Sequence, residues 1–290
     1  MTFKKIFCQN PALKPLNFIR YNFIFIHPTG SRFIPMKALI TTRVESIFNT
    51  IDQVDDFEKL EEKDLQKYYV LLNEYAENNN IALHLFNKTT LNYENVTPSF
   101  YHFWGIDNTE KINNFRELYP RVLDNINALA AYIEIHEKIM NLSSTSERMF
   151  FNSTFCGVKA TNLAGAHIRL MWHATPLILN GHKQSKILLC VHKDVIHLME
   201  GDIFWIRVST GKHVYSWFSD QKEIRKKEIV SGAELACIRH WAAGMGLSDI
   251  AQAQCISIHT VKNHLKAARK RLGARDNTAL MEMCMLLGIC

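Results

Sequence analysis

The sequence predicts an α+β protein: an antiparallel sheet with helices, followed by a small all-α domain. Three observations predict it. Between 81 and 220, short apolar runs rich in β-branched and aromatic residues are separated by turn signals. From Ser231 onward apolar residues recur at helical spacing instead. The charge shifts with the pattern: residues 221–290 hold 11 Lys and Arg against 6 Asp and Glu, while residues 36–220 are net acidic by four.

Taken in order, residues 1–35 carry five basic and no acidic residues. Their apolar run, 18–26, is interrupted by Arg20 and Asn22, and no small-residue cleavage site follows it. This stretch reads as a basic tail, or as an extension preceding a true start at Met36. Residues 36–80 read as a helical segment, with Phe57, Leu60, Leu65, Tyr68, Leu72 and Tyr75 as an apolar stripe for the next domain or a second chain. Asn78, Asn79 and Asn80 stop it.

Residues 81–200 form the sheet domain. Strands are expected at 81–86 and 91–96, then a helix from Thr97 that ends at Gly105. One long helix is expected from Val122 to Met140, with Val122, Ile126, Leu129, Ile133 and His136/Glu137 in register. Strands follow at 149–159, 166–179 and 186–193, with Asn180–Gly181 as a hairpin turn between the last two. Residues 192–196 are read as leaving the final strand. Residues 201–220 read as a further hairpin, whose Trp205, Tyr215 and Trp217 suit a core or a domain contact. Residues 221–228, QKEIRKKE, are a charged linker.

Residues 229–290 form the last domain. Ser231 and Glu234 have capping-box spacing. Leu235, Ile238, Trp241 and Ala242 face inward, and Gly244 ends that helix. A short helix over 247–254 places Ile250 inside. Cys255 and Ile256 make a tight connection, and Ser257 caps the next helix. From Ser257 to Leu272, Val261, Leu265, Ala268 and Leu272 make a buried stripe. Lys262, Asn263, Lys266, Arg269 and Lys270 lie away from it. An isolated basic amphipathic helix is ordinarily a solvated surface helix. Helix, tight turn and helix together give the arrangement that sets a second helix into a DNA groove. A final helix over 278–287 offers Leu280, Met281, Met283, Cys284 and Leu287 either to a dimer contact or to the domain core.

On these residues, 231–280 resembles the helix-turn-helix domain of the LuxR/NarL family of bacterial transcription regulators. The resemblance is carried by Glu234, Ile238, Gly244, Ile250–Ala251, Ser257, the run Thr260-Val261-Lys262-Asn263-His264, and Leu272-Gly273. The sequence departs from the family at Asn277, where Arg is frequent, which bears on a phosphate contact or an internal ion pair. The resemblance implies double-stranded DNA as partner, a homodimer, and a cytoplasmic protein. It implies base contacts from Lys262, Asn263 and Lys266. Ser257, Thr260, Arg269 and Lys270 suit phosphates. The core would comprise Glu234, Ile238, Gly244, Ile250, Val261, Leu265 and Leu272. The order of two strands, several helices and three antiparallel strands, with Tyr93–Gly105 and the run after Asn180–Gly181, resembles a PAS sensor domain. That implies a dimerising role or a small-molecule signal.

Other classes find little footing. Seven cysteines (8, 156, 190, 237, 255, 284, 290) show no C-x-x-C pair, which argues for a reducing compartment. No apolar run approaches membrane-spanning length, so no membrane is expected. Histidines 167, 173, 182, 192, 197 and 213 fall in the strand region without ligand spacing, and no metal or other cofactor is expected. A haem would require an axial histidine such as His136, but a lone helical histidine ordinarily lies on a surface or in a core. A receiver domain's acidic cluster, a phosphate loop and a catalytic triad are missing from the pattern, so no enzyme is expected. The alternative to a DNA-binding regulator is a protein-interaction module, or anti-regulator, that offers the helix-turn-helix to a protein partner.

Overall fold

The computed structural model describes residues 73–289, apart from 88–89, 108–109, 111, 144–150, 177–186 and 211, together with 25–26 and 32–33. Residues 1–35 and 36–290 divide into two compact units. In the first, β1 (Phe25–Ile26) pairs antiparallel with β2 (Arg32–Phe33). The rest of the basic stretch, the apolar stripe before Tyr75 and the Asn180–Gly181 turn lie outside the described residues.

The second unit is built on a seven-stranded sheet in the order β4-β3-β7-β6-β5-β8-β9. Its strands are β3 (Ala82–Asn87), β4 (Asn92–Val96), β5 (Asn152–Thr161), β6 (His167–Pro176), β7 (Ile187–Asp194), β8 (Trp205–Ser209) and β9 (Val214–Phe218). All neighbours pair antiparallel. The first strand of the sheet domain, β3, pairs with β7, so the early pair and the late trio become one surface. The 201–220 hairpin extends the same surface, because β8 bonds to β5.

The strands read as nearly continuous apolar runs because both faces are covered. Side chains alternate across the sheet. Phe155, Trp172, Ile206 and Trp217 pack in one core with the helices that follow β4. Their strand neighbours Cys156, Met171, Trp205 and Phe218 pack in another core with the C-terminal helices. Behind β3 and β7, Leu83, Leu189 and Val191 pack on Tyr75 and Ala76 of a helical segment at 73–78. That segment ends where Asn80 takes φ 49°.

Helix α1 (Pro98–Trp104) stops at Gly105, whose φ of 62° is left-handed. A Cβ there would sit 2.6 Å from the Ala164 backbone nitrogen, so glycine answers both torsion and space. The helix expected from Val122 to Met140 forms as α3 (Ile126–Leu142), four residues late, because Val122 instead ends a separate helix, α2 (Phe115–Val122). Leu123 turns extended and bridges to Ala160 of β5. Asn125 then caps α3 by accepting from the Asn127 amide. The break resets the register. Ile126 and Ile133 are 45% and 43% exposed, and the buried face is Ala128, Leu129, Tyr132, Ile135 and Ile139. Residues 192–194, read as leaving the last strand, lie within β7.

The chain then enters four helices: α4 (Gly232–Ala242), α5 (Leu247–Ala253), α6 (Ile258–Leu272) and α7 (Asn277–Leu286). The charged linker is held down on the way. Arg225 exchanges two backbone hydrogen bonds with Ser216 of β9, and Glu228 takes a bidentate pair from Arg207 at 2.8 and 2.7 Å. Mixed α+β architecture, with sheet first and helical domain last, is therefore the observed fold class.

Candidate nucleic-acid interface

The C-terminal domain places the expected core together. Ile238, Ile250, Val261, Leu265 and Leu272 are buried in one cluster with Ala268. Gly244 follows α4 at φ 82°, the left-handed value that a helix-ending glycine supplies. Leu280, Met283, Cys284 and Leu287 join the same cluster, so α7 completes the domain core, and Met281 alone of the five is half-buried.

Helix α6 stands on this core with its basic side outward. Lys262, Asn263, Lys266 and Lys270 are exposed, while the intervening Val261, Leu265 and Ala268 are buried. Lys266 follows Lys262 by four residues and Asn263 by three, the spacings that share a helix face, so all three can reach into one groove together. Ser257 accepts from the Thr260 amide at 3.0 Å, and the two hydroxyls lie 2.9 Å apart. They cap the helix and sit at its positive dipole end, where a phosphate is favoured. Arg269 is half-buried, and its Nε is buried without a hydrogen-bond partner. Gly273 ends the helix at φ 70°.

Arg271 corrects the solvated role that its neighbours suggest. It forms a two-pronged ion pair with Glu234, at 2.5 and 3.0 Å, and also donates to the Ile229 carbonyl. Glu234 returns to the Ser231 amide at 2.7 Å, completing the capping box. Burial pushes the Glu234 carboxyl up, but Arg271 and Ser231 more than offset it, leaving the group below its ordinary range. This residue ties the start of α4 to the end of α6. His264 is half-buried beside the core.

Two arrangements escaped sequence reasoning. The first is the indole of Trp205, which donates to the Leu272 carbonyl at 3.2 Å and so caps α6 from the sheet. The second is a polar cluster between the sheet and helices α1–α2. His192 accepts from Trp104 Nε1 at its Nδ1, 3.1 Å away, and its Nε2 lies 2.9 Å from the Tyr119 hydroxyl. An indole nitrogen can only donate, so a neutral His192 carries its proton on Nε2 and donates to Tyr119. His84, diagonal to it across β3 and β7, has both ring nitrogens buried and unbonded. Its ring centroid is 4.8 Å from that of His192, and Phe100 and Tyr93 close two further sides. Burial lowers the pKa of His84 to about 3, and burial and His84 keep His192 well below the usual histidine range. Strand alternation was the available signal, since Ala82, His84 and Phe86 share one face.

The other histidines of the strand region do not converge. His173 bonds to Thr154, His167 to Thr161, His197 faces Glu282, and His213 lies beside Tyr215. His182 lies outside the described residues. Among the described residues no three His, Cys, Asp or Glu side chains gather as a metal site, and no helix is long and apolar enough to cross a membrane.

Residues 228–284 match the family described as bacterial regulatory proteins, luxR family. The matched residues contain α4, α5, α6 and most of α7, so the C-terminal domain is a LuxR-type helix-turn-helix, a DNA-binding regulatory domain. Solved structures that the chain resembles include a phage VqmA–DPO complex, at 13% identity over 77% of this chain and 91% of that one, with a TM-score of 0.29. VqmA bound to DPO gives 12% identity, 77% and 88% coverage and a TM-score of 0.32. The Vibrio cholerae VqmA dimer without target DNA gives 12%, 72%, 83% and 0.28. No curated protein matches the chain.

Proposed function

We propose that the chain is a sequence-specific transcriptional regulator whose helix α6 reads the major groove under control of a PAS-like sensory or dimerising domain. The observation that carries the reading is the joint exposure of Lys262, Asn263 and Lys266 over a buried Val261–Leu265–Ala268–Leu272 stripe. Lysine donates to guanine O6 and N7, and asparagine pairs with adenine, each good contact discriminating by roughly 1–3 kcal/mol. Ser257, Thr260, Arg269 and Lys270 serve phosphates, which set register without reading sequence. The dipole end under Ser257 favours those roles.

The PAS-like reading is supported by the β3–β7 pairing, which closes two early strands and three late ones around helices α1–α3. The control signal in this reading is a small molecule. His84 supplies two unsatisfied buried nitrogens, which a hydrogen-bonding ligand would satisfy. The protein acts as a cytoplasmic homodimer on two half-sites, and its role is binding, not catalysis.

Selection of duplexes by the full chain from a random-sequence pool tests the reading. It predicts an enriched motif whose binding weakens steeply with salt, because phosphate contacts release counterions. A pool that stays random after repeated rounds would reject it in favour of a domain that engages protein.

A further inference from the structure

The recognition helix is held at its C-terminal end by a segment that belongs to the sheet. Residues 198–201 run from the end of β7 toward β8. Met199 bridges to Ala274, the Glu200 amide donates to the Gly273 carbonyl at 2.7 Å, and the Arg275 amide donates to the Leu198 carbonyl at 2.9 Å. Trp205, fully buried, takes the Leu272 carbonyl. The last carbonyls of a helix have no partner within it; Trp205 satisfies that of Leu272 from the sheet, and the other bonds hold the Gly273–Arg275 turn that follows the helix.

The other side of the segment is gripped by Arg169 of β6. Its side chain is almost wholly buried, with Nε on the Gly157 carbonyl at 3.1 Å and Nη2 on the Gly201 carbonyl. Its backbone is fixed by Asp194 and Val195 at the end of β7, two residues beyond His192. Met199 fills the gap between two left-handed glycines. Its methyl lies 2.9 Å from the position a Cβ would take on Gly157 of the β5 bulge, and 3.2 Å from that on Gly273 of the helix cap. Neither glycine leaves room for slack.

We infer that residues 198–201 are a strap, set by Arg169, that positions α6 for DNA reading. A helix pinned by bonds from two directions at one end has its tilt and rotation fixed along its length. Lys266 lies six residues from Leu272, about 9 Å along the axis. The strap positions and does not mask, because the lysine side of α6 is exposed while the strap is engaged. Arg169 and Trp205 are thus positioning residues that never touch DNA. The inference rests on the DNA-reading role of α6 and adds the element that holds it in place.

Two substitutions in the full chain test it. Trp205→Phe removes the donor and leaves a smaller aromatic ring in its place. Arg169→Lys keeps the charge and cannot span both carbonyls. Amide hydrogen exchange is expected to quicken about fivefold over 269–275, the effect of one lost hydrogen bond. Residues 258–264 and strands β3–β7 should keep their rates. Affinity for the duplex that the unsubstituted chain selects from a random pool is expected to fall about fivefold, although every lysine of α6 remains. Unchanged exchange at 269–275, uniform acceleration across the chain, or undiminished affinity alongside faster exchange would each overturn the strap. If the unsubstituted chain selects no duplex, the DNA-reading assignment fails. The exchange rates then still decide whether the strap holds the helix.

Discussion

Lys270 and Arg271 are neighbours in sequence and do opposite things. One is exposed on the outer side of α6, and the other turns inward to a buried glutamate 37 residues earlier. Helical periodicity separates faces but does not name partners across the fold, so the capping role of Glu234 was readable and its ion pair was not. His84 shows the same limit. Its strand was legible, yet its placement against His192 depends on β3 pairing with β7, about a hundred residues away. This buried site has a consequence in acid. With a folded pKa near 3 against 6.5 for the free side chain, His84 refuses a proton that the unfolded chain accepts. Stability from this group therefore falls as pH drops from 6.5 toward 3. The loss is about 1.4 kcal/mol per pH unit, or about 2 kcal/mol by pH 5. His192 adds in the same direction. In urea titrations at pH 6.5 and 5, His84→Phe should lose visibly less stability than the unsubstituted chain. Equal losses would mean that His84 is not buried uncharged.

Among the elements, the capped ones were the most legible. Gly105, Ser231, Ser257 and Gly273 begin or end their helices where local chemistry places them, because a cap is decided within four residues. The start and register of the helix expected from Val122 were misread for the reverse reason. Leu123 and Asp124 leave the helix to bond with Ala160 and Lys159 of β5, and nothing nearby in sequence announces that strand. The break moves the core face by part of a turn, and the two registers predict different costs. Ile139→Ala, at a fully buried position, should cost about 2–5 kcal/mol. Ile133→Ala, at a site 43% exposed, should stay within about 0.5 kcal/mol. Denaturant midpoints of the two variants decide between the registers, and a larger loss at Ile133 would restore the register expected from Val122.

Across the whole molecule, fold class was legible and the joining of its parts was not. Alternation and turn signals give strands, and helical spacing gives the C-terminal domain. The seven-strand order comes from long-range pairing that no local pattern encodes. The sheet's outward side chains, Trp205 and Phe218 among them, belong to the same cluster as Val261 and Leu272 of the recognition helix. The helix-turn-helix is therefore seated on the sheet as on a base, with one side committed to packing and the other free for a ligand of opposite charge. The most direct check is the affinity of the Lys262→Ala, Lys266→Ala double variant for the selected duplex. It is read by fluorescence anisotropy, with circular dichroism confirming an unchanged fold. The predicted result is a loss of at least about tenfold, from the removal of two base-reaching cations. Undiminished affinity in a folded variant would contradict the account.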